Sequence, residues 1–169
     1  MTSSRESQNP VDLDDLYRDV ILDHYRSPRN RGVREDATIS AEGFNPSCGD
    51  EIQLSVAIVN QTLNGLGFGG SGCSISQSSA SMMTEALTGR SLESAREMSR
   101  HVQQMLTDDT FDLDAVDLGD LEALSGVAKF PVRIKCGLLA WKVLDQALAN
   151  ASGEALNDDS DIPTRVTSG

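Results

Sequence analysis

Aromatic side chains make up only 4% of this 169-residue chain, and there is one tryptophan. Its core must therefore be built from aliphatic and small residues. Positive charge is also scarce: 14 Lys and Arg stand against 26 Asp and Glu, a formal net charge of −12. That balance excludes a nucleic-acid partner, because a phosphate-binding surface needs an excess of cations. No apolar run approaches the length of a membrane span. The polar stretch 1–10 lacks the apolar centre of a signal peptide, so the expected location is cytoplasmic, with no membrane partner. Cysteine is sparse and odd in number, at three. Reducing cytosol disfavours disulfides, so these thiols call for either burial or metal and redox chemistry.

What is present is enough for one domain with a real core. Residues 1–11 read as a disordered leader. A helix begins near Asp12, with acidic residues at its positive end. Leu13, Leu16, Tyr17, Val20, Ile21 and His24 recur at helical spacing, and Pro28 sets the helix's limit. The cations of Tyr25-Arg26-Ser27-Pro28-Arg29-Asn30-Arg31-Gly32 either dress a helix C-terminus or form a docking or lid element.

Strand patterns follow at Thr38–Phe44, Glu51–Val59 and Thr62–Phe68, with Asn60-Gln61 as a turn. Gly67-Phe68-Gly69-Gly70-Ser71-Gly72 then delivers Cys73 to a helix over about Ser74–Leu87. Ser91 is a plausible N-cap for a helix to about Leu106, whose core face is Leu92, Ala95, Met98, Val102 and Met105. An acidic linker spans Asp108–Asp120, a short helix Leu121–Ser125, and a loop Gly126–Pro131. A last helix covers about Ile134–Ala149. From Ala151 onward the chain reads as a disordered acidic tail.

The stretch Asn45-Pro46-Ser47-Cys48-Gly49-Asp50-Glu51 sets a thiol and a carboxylate two positions apart on a Pro/Gly loop. With Cys73 and Cys136 this makes three thiolates and one carboxylate, enough for a tetrahedral zinc site. Cys73 and Cys136 are expected at helix starts, where the helix dipole lowers a thiol's pKa. Four anionic ligands around a divalent ion leave a charge of minus two, and Arg133 and Lys135 flank Cys136. By spacing alone, small buried cysteines explain the pattern equally well. His24 reads as packed or interfacial, His101 as solvated, and Met82-Met83 as core filling.

Taken together, Cys48-Gly49-Asp50, Gly72-Cys73-Ser74-Ile75-Ser76 and Pro131-Val132-Arg133-Ile134-Lys135-Cys136 resemble the NifU N-terminal/IscU-like family of iron–sulfur cluster assembly. Leu16 to Tyr25 and Arg26-Ser27-Pro28-Arg29-Asn30 match it as well, so the likeness covers about residues 12–150. Lys135 stands where IscU proteins carry a histidine, and Lys129-Phe130 replaces their Leu-Pro. The Cys73–Cys136 segment is also longer, with an inserted helical part at about 90–126. These departures resemble the SufU-type branch.

The resemblance implies an α+β domain: a small antiparallel three-stranded sheet with helices packed largely on one face. It implies zinc held by Cys48, Asp50, Cys73 and Cys136. It further implies that Cys48, displaced from zinc by a desulfurase histidine, accepts persulfide sulfur from a SufS-type cysteine desulfurase. Other SUF assembly proteins are further expected partners, and Arg133 is a candidate support for the freed thiolate. One alternative is a scaffold on which an iron–sulfur cluster is transiently assembled. Another, of a different class, is a zinc-stabilised binding module without chemistry.

Overall fold

A computed structural model describes residues 13–153 and 162–168. The leader expected at 1–11 lies outside the described residues, as do 154–161 of the tail. Helix α1 spans Leu13–Arg26, with Asp14 and Asp15 in its first turn and His24 and Arg26 in its last, both signs placed to favour the helix dipole. Strands β1 (Ile39–Asn45), β2 (Asp50–Val59) and β3 (Thr62–Ser71) follow. The β2–β3 hairpin turns through Asn60 and Gln61, both at positive φ (51° and 62°), the geometry a two-residue primed turn requires.

Helix α2 (Ser74–Leu87) and helix α3 (Leu92–Thr107) come next, then 3-10 turns at Leu113–Ala115 and Gly119–Lys129. Helix α4 runs Pro131–Ala151, and strand β4, Thr164–Ser168, ends the described chain.

The architecture is α+β, but the sheet has four strands rather than three. Its order is β3-β2-β1-β4, and every neighbouring pair is antiparallel. The fourth strand comes from the stretch expected to be a disordered tail. Thr164–Ser168 pairs along β1, from Gly43↔Thr164 to Ile39↔Ser168, and Ile162 before it is 1% exposed. One buried isoleucine and a backbone ladder hold a segment whose composition promised nothing to bury.

Helices cover one face. Helix α4 lies against β1, β2 and β4, α2 packs between α1 and α4, and α3 packs on α4. The buried run of Ser76, Ser78, Ser79, Ala80 and Ser81 on α2 allows close approach from several sides. Its hydroxyls find partners: Ser79 Oγ donates to the Gly137 carbonyl at 2.8 Å and accepts from Trp141 Nε1 at 3.1 Å. Met82 and Met83 are core residues, as is the whole expected face of α3.

Further boundaries differ from expectation, and β3 runs on to Ser71 rather than ending at Phe68. The Gly126–Pro131 stretch is taken up by 3-10 turns as far as Lys129, and α4 starts three residues earlier than expected, at Pro131. Proline at the first helical position has no N–H to lose and its φ suits the helix, so it opens α4 rather than closing the loop.

The basic turn after α1 is spent within the molecule. Arg29 pairs with Asp23 at 2.7 Å, and Arg31 donates to Gln77 Oε1 and the Gly70 carbonyl, both at 2.8 Å. The Arg31 guanidinium also lies over the Phe68 ring, 5.3 Å from its centre. These contacts lash the α1–β1 connection to α2 and β3. Among the described residues no helix is long and apolar enough to cross a membrane.

Candidate metal centre

Three separate elements present the expected ligands at one end of the sheet. Cys48 sits on the turn between β1 and β2 and is exposed, while Asp50 is the first residue of β2 and 1% exposed. Cys73 is the N-cap of α2, and Cys136, fully buried, lies in the second turn of α4. One sulfur of Cys48, one oxygen of Asp50 and the sulfur of Cys136 all lie within 4.8 Å of one another. The Cys48 and Cys136 sulfurs are 3.6 Å apart. Two thiolates on one tetrahedral zinc stand about 3.8 Å apart, so the spacing fits a shared ion. Cys73 lies outside that mutual cluster and approaches it at Asp50, its sulfur 4.0 Å from Asp50 Oδ2.

The Asn-Pro-Ser-Cys-Gly turn is built by its first residue. The Asn45 carbonyl accepts the Cys48 N–H at 3.3 Å and the Gly49 N–H at 2.8 Å, while Asn45 Oδ1 accepts the Ser47 N–H at 3.2 Å. Gly49, at φ 73°, closes the turn in a conformation costly for a side-chain-bearing residue. At the other wall, Cys73 is the N-cap of α2 but its side chain caps no backbone N–H; its sulfur lies 3.9 Å from Ser76 Oγ. Its own N–H instead donates to Asp50 Oδ1 at 2.9 Å, which brings a carboxylate to the positive end of the helix. Gly72 makes this approach possible, because a Cβ there would stand 2.5 Å from Asp50 Oδ1 and 2.6 Å from Ser76 Oγ.

Cys136 departs from expectation. Since α4 begins at Pro131, Cys136 is its sixth residue rather than its start. Burial pushes its thiol well above the usual range, and hydrogen bonding with Asp50 and Cys48 adds to the rise. The dipole effect expected there does not prevail. A thiol buried among acidic groups releases its proton most readily when a cation takes the proton's place on sulfur, which is the chemistry of a metal site. Arg133 is exposed and Lys135 half-buried on the α4 turn carrying Cys136.

The sequence reading missed Asn45. It is fully buried, and Nδ2 lies 3.9 Å from Cys136 Sγ. The available signal was the Asn-Pro opening of the turn, where asparagine bonds its own backbone two residues on.

The histidines stand apart from the thiols. His24 is 1% exposed, with Nδ1 2.8 Å from Ser81 Oγ. Its Nε2 has no hydrogen-bond partner and faces Asp120 Oδ2 at 3.7 Å and Glu85 Oε1 at 3.9 Å. That group has its own cation, since Arg29 Nε is 3.6 Å from Glu85 Oε2. His101 packs near Phe111, ring centres 6.4 Å apart, so it is half-buried rather than solvated.

Residues 16–137 match the NifU-like N terminal domain family. The chain belongs to that family. It is 47% identical to the zinc-dependent sulfurtransferase SufU of Bacillus subtilis (strain 168), over 85% of this chain and 96% of that one. It is 38% identical to the iron–sulfur cluster assembly scaffold protein IscU of Streptococcus pyogenes serotype M1, over 88% of this chain and 92% of that one. Among solved structures it resembles a candidate SUF-system scaffold from Fervidobacterium islandicum AW-1: TM-score 0.71 and 34% identity, covering 76% of this chain and 93% of that one. The Fervidobacterium structure shares the sheet-and-helix frame of this chain.

Proposed function

We propose that the protein is a zinc-dependent sulfurtransferase of iron–sulfur cluster biogenesis that accepts persulfide sulfur on Cys48. The observation that carries this reading is the pairing of an exposed thiol with a buried one, Cys48 and Cys136, 3.6 Å apart beside the Asp50 carboxylate. Identity of 47% to a protein named for this activity supports it. Cys48, Asp50, Cys73 and Cys136 would hold the zinc. When bound, zinc supplies the positive charge that keeps thiolates deprotonated at neutral pH.

The sulfur donor is a cysteine desulfurase of the SufS type, in the cytoplasm, where free thiols persist. The Cys48 thiolate attacks the terminal sulfur of the donor's persulfide. A bond forms between Cys48 Sγ and that sulfur, the donor's S–S bond breaks, and the donor cysteine departs as a thiolate. The proton stays on the transferred sulfur, and no net oxidation occurs. Arg133, exposed one turn before Cys136, steadies the reacting thiolate by charge. Arg133→Ala is expected to slow transfer several-fold with zinc still at one per chain; unchanged transfer would remove Arg133 from the site.

The test is desulfurase turnover with and without this protein, repeated with Cys48→Ala. Stimulation by the native chain and none by the variant is the expected result. A pure binding module would stimulate equally in both forms. The IscU relative, at 38% identity, keeps a second reading in view, a scaffold for an iron–sulfur cluster. Metal analysis after anaerobic purification separates them: colourless zinc protein against a coloured iron–sulfur species.

A further inference from the structure

We infer that Asn45 is a positioning residue that makes Cys136 the thiolate the metal site keeps and Cys48 the one it releases; this rests on the reading just proposed. Cys48 must be able to leave the ion, so something must stop Cys136 from leaving in its place. The two sulfurs are neighbours, and both belong to the same chemical class of ligand. What differs is their surroundings. Cys136 is fully buried on a helix, whereas Cys48 is exposed on a turn. Cys136 also receives an amide: Asn45 Nδ2 is 3.9 Å from its sulfur.

The orientation of that amide is set by chemistry. Asn45 Oδ1 is taken by the Ser47 N–H, which leaves the NH2 end turned toward Cys136. An N–H directed at a thiolate draws off part of its charge. The sulfur becomes a poorer nucleophile toward electrophiles, and its negative form is stabilised where water cannot reach. Partners of this kind behind a ligand are known to set its orientation and basicity.

One buried residue therefore divides the work. Its backbone carbonyl and Oδ1 shape the turn that carries Cys48, and its NH2 secures the sulfur across from it. No amide donor of this kind is described at the Cys48 sulfur, whose recorded partner is Cys136 itself.

The experiment maps alkylation in the zinc-loaded, full-length protein. Limiting iodoacetamide is added, and modified cysteines are located by mass spectrometry over time. In the native chain Cys48 is expected to react first and Cys136 last; Cys136 reacting before Cys48 would overturn the inference. Two variants isolate the donor. Asn45→Asp keeps an oxygen for the Ser47 N–H but sets a carboxylate against the Cys136 sulfur. Asn45→Ala removes both bonds. The inference expects Cys136 alkylation to rise about tenfold relative to Cys48 in both variants, the scale of one hydrogen bond to a charged group.

A rise in Asn45→Ala alone would assign the residue to the turn only and overturn the inference. So would an unchanged order in both. Cobalt substitution gives a second readout in each variant, a shift of the sulfur-to-metal charge-transfer band when a thiolate loses its donor. A native chain that takes up no zinc would overturn the sulfurtransferase reading along with this one. Zinc uptake with unaltered alkylation would overturn this one alone.

Discussion

Gly72 and His24 illustrate how single positions hold the site and its frame. Gly72 has no side chain because the space a Cβ would fill is already occupied, 2.5 Å from the Asp50 carboxylate. Gly72→Ala must push Asp50 or the start of α2 aside. Zinc affinity, read by competition with a chelator, is expected to fall roughly tenfold with the fold retained. His24 acts through protons instead. Burial, then the nearby Arg29 charge, lowers its pKa below the ordinary 6.5, against the opposing pull of Glu85 and Asp120. The folded protein thus holds His24 neutral while the unfolded chain takes up a proton. Its stability contribution is complete above the unfolded value and is lost as the pH falls through it toward the folded one. Melting temperature should drop between about pH 7.5 and 5.5 more steeply in the native protein than in His24→Asn. Equal slopes would assign the acid sensitivity to other groups.

At the scale of elements, β4 is the part whose worth is easiest to measure. It pairs with β1 over five residues, follows the buried Ile162, and its preceding Pro163 carbonyl accepts the Phe44 N–H at 3.1 Å. A chain ending after Gly153 should lose about 2 kcal/mol or more in urea unfolding, the burial of one large aliphatic side chain. The β1 amides that face β4 should exchange faster, while β2–β3 amides keep their protection. Strand β4 was also the element hardest to read from sequence. Thr164-Arg165-Val166-Thr167-Ser168 has one large apolar residue and follows an acidic stretch, so composition masks a ladder made by the backbone. The α1, α3 and β2 segments were legible because apolar residues repeat at the period of their structure, and Ser91 caps α3 as its type predicts, accepting the Ser94 N–H. The start of α4 was misplaced because Pro131 was assigned to the preceding loop, although at a first helical position proline suits a helix start. The motifs named Cys48, Asp50, Cys73 and Cys136 as candidate ligands, and the fold brings Cys48, Asp50 and Cys136 within 4.8 Å of one another. The amide of Asn45 was not legible, because its role depends on a helix 91 residues away.

For the whole molecule, the surplus of acid is the property any partner meets first. The net charge of −12 extends over surface that includes the exposed run at Asp108, Asp109, Asp112 and Asp114. Attraction between this field and a basic patch on a desulfurase would accelerate encounter more than it tightens the final complex. Added salt should therefore raise the concentration of this protein needed for half-maximal desulfurase stimulation several-fold. The turnover reached at saturation should change little. If salt leaves that concentration alone, the acidic surface serves solubility only. A different consequence follows from where the cysteines fall along the chain. Two of them whose sulfurs nearly touch are separated by 88 positions, with most of the domain strung between. A ribosome must finish almost the entire fold before both can close on one ion, and a chain clipped midway can never grip it. Metal capture at the proposed centre would therefore require a chain made at least as far as Cys136.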